Sequence, residues 1–389
     1  MKKIKTYLLL GSVILTYSCA NSQQKQVDKN SLKNAYKKDF YIGTALDLNQ
    51  IEESDPKVTN FIATQFSAIT AENIMKSMFI HPEKDKFDFN MTDKFVAYGK
   101  KNNMFIHGHT LIWHSQLAPW IEKIKDSSEM NAFLKDHITT IVSKYKGKIN
   151  SWDVVNEAIN DDGTLRKSVF LNTLGEDYLA KSFQLAAAAD PKVDLYYNDY
   201  SMTNPAKRDG VIRMVKKIQE KGIKIDGIGM QGHWQIDSPS IAEIEKSIIE
   251  YSKLGVKVAI TELDVSVLPS PWNQQGAEVN QQFENSAKMN PYPKTLPDSI
   301  QTKLAQRYAD IFKLFLKHKD KISRVTFWGV NDSQSWLNDW PIKGRTNYPL
   351  LFDRKLEPKK AYYSVIELKK PNTPLLRAPK IKSSLSRKN

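Results

Sequence analysis

The chain is 389 residues long and 41% hydrophobic, with 16 glycines, 17 prolines and one cysteine, a composition that excludes a fibrous or wholly disordered polymer and any intrachain disulfide. Its net charge of +14 is concentrated at the ends: residues 1–39 hold eight lysines against two aspartates, and residues 371–389 hold five basic residues and no acid. Charge placed this way belongs to solvated tails, so no nucleic-acid partner is expected and stability must come from packing.

At the N-terminus, Lys2, Lys3 and Lys5 precede an apolar run at 8–15 that is too short to span a bilayer and has the layout of an export signal. Cys19 follows directly. The stretch Thr16-Tyr17-Ser18-Cys19 resembles a bacterial lipoprotein cleavage site, where the cysteine becomes the lipid-bearing first residue; Ser18-Cys19-Ala20 would also serve ordinary signal cleavage. The expected organisation is a signal at 1–19, a polar tether at 20–38, one folded body at 39–370 and a basic extension at 371–389.

Inside the body, β-branched or aromatic runs recur at 40–48, 68–73, 105–113, 151–157, 194–200, 227–233, 257–265 and 324–330. Stretches with helical spacing separate them, for example 209–218 and 241–254. Eight β-α repeats without an internal linker predict a single α/β domain, a (β/α)8 barrel. Residues 266–298, which contain five prolines, predict an extended loop after the seventh strand, on the face where barrel active sites lie.

The C-terminal ends of these strands are crowded with polar groups: Glu72 and Asn73, then His107, His109 and Trp113, then Asn156 and Glu157, then Asn198 and Asp199, then Gln231 and His233, then Glu262 and Asp264, and last Trp328 to Trp336. A barrel built only for stability has no use for so many, because a buried unpaired charge costs several kcal/mol, roughly, per group. Glu157 and Glu262 end strands four and seven, across the barrel mouth, where two carboxyl groups can flank one glycosidic bond. One must act as a protonated acid while the other stays ionised, so their surroundings must differ. Asp264 shares a strand face with Glu262, and His233 on the neighbouring strand could bridge the two, stabilising an ionised Glu262.

Four stretches carry a family resemblance: His109-Thr110-Leu111-Ile112-Trp113-His114-Ser115-Gln116-Leu117, Trp152-Asp153-Val154-Val155-Asn156-Glu157, Gly227-Ile228-Gly229-Met230-Gln231-Gly232-His233 and Ile260-Thr261-Glu262-Leu263-Asp264. They resemble the signatures of glycoside hydrolase family 10, the endo-β-1,4-xylanases, in the family's order and over nearly the whole body. The resemblance implies that Glu157 is the acid/base and Glu262 the nucleophile of a retaining hydrolysis of xylan and xylo-oligosaccharides. It further implies that Asn156 meets the sugar 2-hydroxyl, and that Glu72, Asn73 and Lys76 hold the non-reducing side. His109, Trp113, Gln231 and His233 would line the cleavage subsite, Trp328 and Trp336 would stack on sugars, and Tyr200 would serve the leaving-group side. Gln116, Asn198 and Asp264 complete the supporting set. Asp153 is read as structural, and Trp234 and Trp340 stay open between core and ligand platform. No cofactor or catalytic metal is implied, since two carboxylic acids and water supply the proton traffic.

Three rivals are weighed against this reading. His107-Gly108-His109 has the pairing of barrel metallohydrolase ligands, although Asn198 stands where a further histidine would be wanted. A non-catalytic glycan-binding lipoprotein would have little reason to keep both glutamates. A barrel glycosidase acting on β-1,4-glucan or on mixed substrates differs from a xylanase only in room for a hydroxymethyl group.

Overall fold

A computed structural model describes residues 31–270 and 282–370. The expected export signal, Cys19, residues 20–30 of the expected tether and the basic extension lie outside the described residues. Eight parallel strands close into a barrel: β1 (Tyr41–Leu46), β2 (Ala68–Ala71), β3 (Phe105–Gly108), β4 (Ser151–Asn156), β5 (Asp194–Asp199), β6 (Gly227–Met230), β7 (Lys257–Ser266) and β8 (Ile322–Phe327). Each pairs with its successor, and β8 returns to β1 through Tyr41 opposite Arg324 and Thr44 opposite Phe327. The predicted third and sixth strands each break in two: a short strand at Ile112–Trp113 pairs with β4, and another at His233–Gln235 pairs with β7. Apolar pattern alone merged each pair; the breaks fall at His109 and Gln231, whose side chains line the cleft at the barrel mouth.

The outer helices follow from local chemistry. In Ile241–Ser252 the Ser240 hydroxyl accepts from the Glu243 backbone and the Glu243 carboxylate accepts from the Ser240 backbone, a reciprocal cap. Its buried Ile244, Ser247, Ile248 and Tyr251 recur at helical spacing and face the barrel. Each buried isoleucine contributes about 1.5–3 kcal/mol, so a charge at position 248 would detach the helix. Pro205–Glu220 starts at a side-chain cap from Asn204 with proline in its first turn.

One boundary is corrected. Residues 31–38 were assigned to the tether, yet Leu32–Tyr36 is a helix in which Leu32 and Tyr36 are fully buried. The Tyr36 hydroxyl donates to the Val365 carbonyl at 2.8 Å, and Asp39 pairs with Lys319 and Lys369 at 2.9 and 2.6 Å. This short helix therefore joins the two ends of the domain; its lysine content hid two apolar anchors four residues apart.

The barrel floor bears on the metal reading. His107 is buried with its Nε2 2.9 Å from the Arg324 guanidinium and its Nδ1 2.7 Å from the Ser151 hydroxyl. Burial, followed by the charge of Arg324, lowers its pKa to about 4. A fixed guanidinium at that distance opposes any cation there. Asp153 accepts from His109 Nδ1 at 2.9 Å, and the same carboxylate oxygen lies 2.9 Å from His107 Nε2, so it sits between the two rings.

The long connection after β7 ends at the helix Asp298–Lys317. Its described parts pack on the segment after β8: Arg345 Nη1 donates to the Pro269 carbonyl at 2.9 Å, Thr346 N–H to Asn290 Oδ1 at 3.0 Å, and Phe283 N–H to the Pro341 carbonyl at 2.9 Å. The two loops thus form one wall at the end of the cleft that holds Trp336 and Trp340.

Candidate active site

A cleft of about 940 Å³ opens at the C-terminal ends of the strands. Fifteen of the sixteen residues expected there line it: Glu72, Asn73, Lys76, His109, Trp113, Gln116, Asn156, Glu157, Tyr200, Gln231, His233, Glu262, Asp264, Trp328 and Trp336. The sixteenth, Asn198, lies beneath the floor, fully buried.

Glu157 and Glu262 occupy unlike environments. Glu157 accepts from Trp113 Nε1 on one carboxylate oxygen and from Gln231 Nε2 on the other, both at 2.8 Å. Both donors are neutral. Its backbone has φ of 57°, the left-handed region that costs a non-glycine residue about 1–2 kcal/mol.

Glu262 is held instead by a charged chain. His233 Nε2 donates to Glu262 at 3.0 Å and His233 Nδ1 to Asp264 at 3.0 Å, while Trp336 Nε1 donates to the same Asp264 oxygen at 2.8 Å. Two ring nitrogens donating at once require the imidazolium. Burial opposes that charge, but the carboxylate of Asp264, and after it Glu262, lifts the His233 pKa to about 10. Burial would likewise push the Glu262 carboxyl up; the hydrogen bond from His233, the nearby rings of His109 and His233 and the amide of Asn198 outweigh it and hold Glu262 below the usual carboxylate range.

Asn198 works from below. Its Nδ2 donates to Glu262 at 2.8 Å and to Asn156 Oδ1 at 3.0 Å, and its Oδ1 accepts from the Thr261 hydroxyl at 2.6 Å. A Cβ at Gly229 would meet Asn198 Oδ1 at 2.4 Å, so glycine at 229 is needed for this amide to sit under the floor. Thr261 fixes which way the amide points, a role that a lone threonine beside a glutamate does not announce in sequence.

The opposite end of the cleft is organised by Lys76. Its ammonium, buried, donates to Asn73 Oδ1 and Gln116 Oε1 at 2.8 Å and lies 4.9 Å from the Trp113 ring. Burial lowers its pKa to about 8 against the pull of Glu72, Glu262 and Glu157. Burial raises that of Glu72, which Lys76 opposes. Near the loop wall, Trp336 stacks on Trp340 with ring centres 4.8 Å apart at 18°, and Trp328 meets the His109 ring edge to face at 5.5 Å. Trp234 and Trp340, which the sequence leaves open between core and platform, both line the cleft. Tyr200 is anchored by Arg166, whose Nη2 donates to its hydroxyl at 2.6 Å, and the Lys207 ammonium lies 3.4 Å from its ring centre.

Comparison with known proteins agrees with this geometry. The model of glycosyl hydrolase family 10 matches residues 31–368. An endo-1,4-beta-xylanase A of Xylanibacter ruminicola is 41% identical over 373 residues, covering 95% of this chain and 100% of its own. A beta-1,4-xylanase of Dictyoglomus thermophilum is 38% identical over 365 residues, covering 92% and 97%. Among solved structures, a GH10 endoxylanase from a sugarcane soil metagenome superimposes with a TM-score of 0.84 at 46% identity, over 87% of this chain and 100% of that one. Xylanase 10B of Thermotoga petrophila in complex with xylobiose gives 0.76 at 36%, over 87% and 97%.

Proposed function

The chain belongs to glycosyl hydrolase family 10, and from that premise we propose that it is an endo-1,4-β-xylanase that cuts internal xylosidic bonds of xylan with retention of configuration. The observation that carries the reading is the pair of glutamates lining one cleft in opposed environments, Glu262 under a charged histidine and Glu157 under two neutral donors.

In the first step the ionised Glu262 attacks the anomeric carbon. The bond to the glycosidic oxygen breaks, and that oxygen takes the proton of Glu157 as it leaves. In the second step water attacks the same carbon, gives its proton to the Glu157 carboxylate and releases Glu262. In this reading Asn156 meets the 2-hydroxyl beside the nucleophile, and the hydrogen bond it accepts from Asn198 supports that role. Trp328 and Trp336 offer flat faces to pyranose rings, and Glu72, Asn73, Lys76 and Gln116 offer polar contacts to the sugars on the other side.

Xylan is supported over β-1,4-glucan by the xylanase names of the relatives. The test is product release by the full chain from β-1,4-xylan and β-1,4-glucan, alongside Glu262→Ala. Short xylo-oligosaccharides from the wild type, little from glucan and none from the variant are expected; comparable release from glucan would sink the xylan preference. The lysines ahead of the apolar run and the single Cys19 support export with a lipid on that cysteine. Labelled palmitate should enter the wild-type protein and be lost in Cys19→Ser, whereas labelling of neither would leave plain secretion.

A further inference from the structure

The turn that follows Glu157 is held by side chains as well as by backbone bonds to the segment at 164–166. Glu157 N–H donates to the Asn198 carbonyl at 2.9 Å, the last bond of regular β4 pairing. From there the backbone leaves the sheet in a left-handed conformation at Glu157. Ala158 and Ile159 N–H groups donate to the Tyr197 hydroxyl at 3.0 and 3.1 Å, and Tyr197 in turn bonds the buried Asp199. The three carbonyls of the turn converge on one residue. Arg166 Nε donates to the Glu157 carbonyl at 2.8 Å, its backbone N–H to the Ala158 carbonyl at 2.8 Å, and its Nη2 to the Ile159 carbonyl at 3.4 Å. The same Nη2 donates to the Tyr200 hydroxyl on the cleft wall.

We propose that Arg166 is a positioning residue for the acid step: its guanidinium clamps the strained turn so that the Glu157 carboxyl is aimed at the glycosidic oxygen, and ties that aim to Tyr200 on the leaving-group side. The inference rests on the xylanase reading. A left-handed residue persists only where its surroundings over-determine it. Trp113 and Gln231 orient the carboxyl itself, and the backbone clamp fixes the point from which the side chain reaches them. Arg166 acts through the Glu157 carbonyl, to which its Nε donates, and not by a hydrogen bond to the carboxyl. When the glycosidic bond breaks, the electron pair goes to the leaving oxygen and the proton to that oxygen comes from Glu157. A misaimed acid therefore harms only leaving groups that need the proton.

The experiment uses the full chain and its Arg166→Ala and Arg166→Lys variants with two aryl β-xylobiosides, one releasing phenol and one releasing 2,4-dinitrophenol. Active sites are counted by trapping Glu262 with a 2-deoxy-2-fluoroxylobioside, which does not require the acid when its own leaving group is dinitrophenol. Per titrated site, kcat/KM for the phenyl substrate should fall about 100-fold in Arg166→Ala while the dinitrophenyl substrate stays within about threefold. Arg166→Lys, able to reach one carbonyl, should recover part of the loss. Equal losses on both substrates, or none on the phenyl compound, would overturn the proposal. So would the absence of titratable sites in both variants, which would make Arg166 a folding residue. Wild-type inactivity on both xylobiosides would overturn the xylanase reading itself, and this inference with it.

Discussion

The two sides of the cleft solve the same problem by different means. On the β7 side, Glu262 is kept ionised by charge: an imidazolium bonded to two carboxylates, with Trp336 a second donor to the same Asp264 oxygen. On the β4 side, Glu157 is controlled by conformation, with neutral donors on its carboxyl and a side-chain clamp on its backbone. A nucleophile needs one protonation state throughout the approach to the sugar, so a permanent charge suits it. An acid/base must hold and release a proton in turn, and a permanent charge would favour one state. The contrast teaches that identical residue types are assigned roles by what surrounds them.

The comparison breaks most visibly on removing each carboxyl. Glu262→Ala should lose at least about 10⁴-fold in kcat/KM on every substrate, because the covalent step has no substitute. Glu157→Ala should lose about 10³-fold in kcat/KM on xylan and little in kcat/KM on a dinitrophenyl xylobioside, whose departure needs no proton; kcat should fall on both, because the second step still needs the base. Parallel losses of kcat/KM in steady-state assays with both substrates would mean that the sides do not differ as described.

A smaller effect is expected from His233→Asn, about 10- to 100-fold in kcat/KM at neutral pH. Glu262 lies below its ordinary carboxylate range with His233 present; removing that donor raises it, so the acid limb of the pH–rate profile should move to higher pH. Stability should respond as well. A histidine raised from 6.5 to about 10 contributes stability fully present below 6.5 and lost as pH climbs through 10. Thermal melts between pH 7 and 10 should therefore decline less steeply in the variant, and an unchanged slope would count against a charged His233.

The smallest change is Trp336→Phe, which deletes the donor to Asp264 and keeps an aromatic ring. We expect KM for xylo-oligosaccharides to rise about threefold with little change in kcat. A fall in kcat like that of His233→Asn would show that Trp336 belongs to the charged chain more than to the sugar platform.

Much of this was legible in the sequence. Strand-end position and the two-residue period of β7 put Asp264 on the same face as Glu262, and the neighbouring strand supplied His233. Asn198 was legible as a site residue but not as a buried one, because burial depends on the depth at which β5 meets β6 and β7. Arg166, Tyr197 and Thr261 escaped. Each acts on a backbone or an amide rather than on the reacting atoms, and each lies on a segment where its residue type is ordinary. The helix Leu32–Tyr36 escaped because two buried side chains among lysines look like a solvated stretch until the far end of the chain is seen against them.

The sequence by itself determined the barrel, through alternating strand and helix periods, and the two carboxyls proposed to react, through their places at strand ends. Those are local properties, carried by residues close together in the chain. Only the tertiary structure decided which glutamate is governed by charge and which by conformation, since His233, Asn198, Gln231 and Trp113 reach them across 29 to 74 residues of chain. Protonation and aim depend on distances of about 3 Å between such partners, and those distances exist only once the barrel has closed.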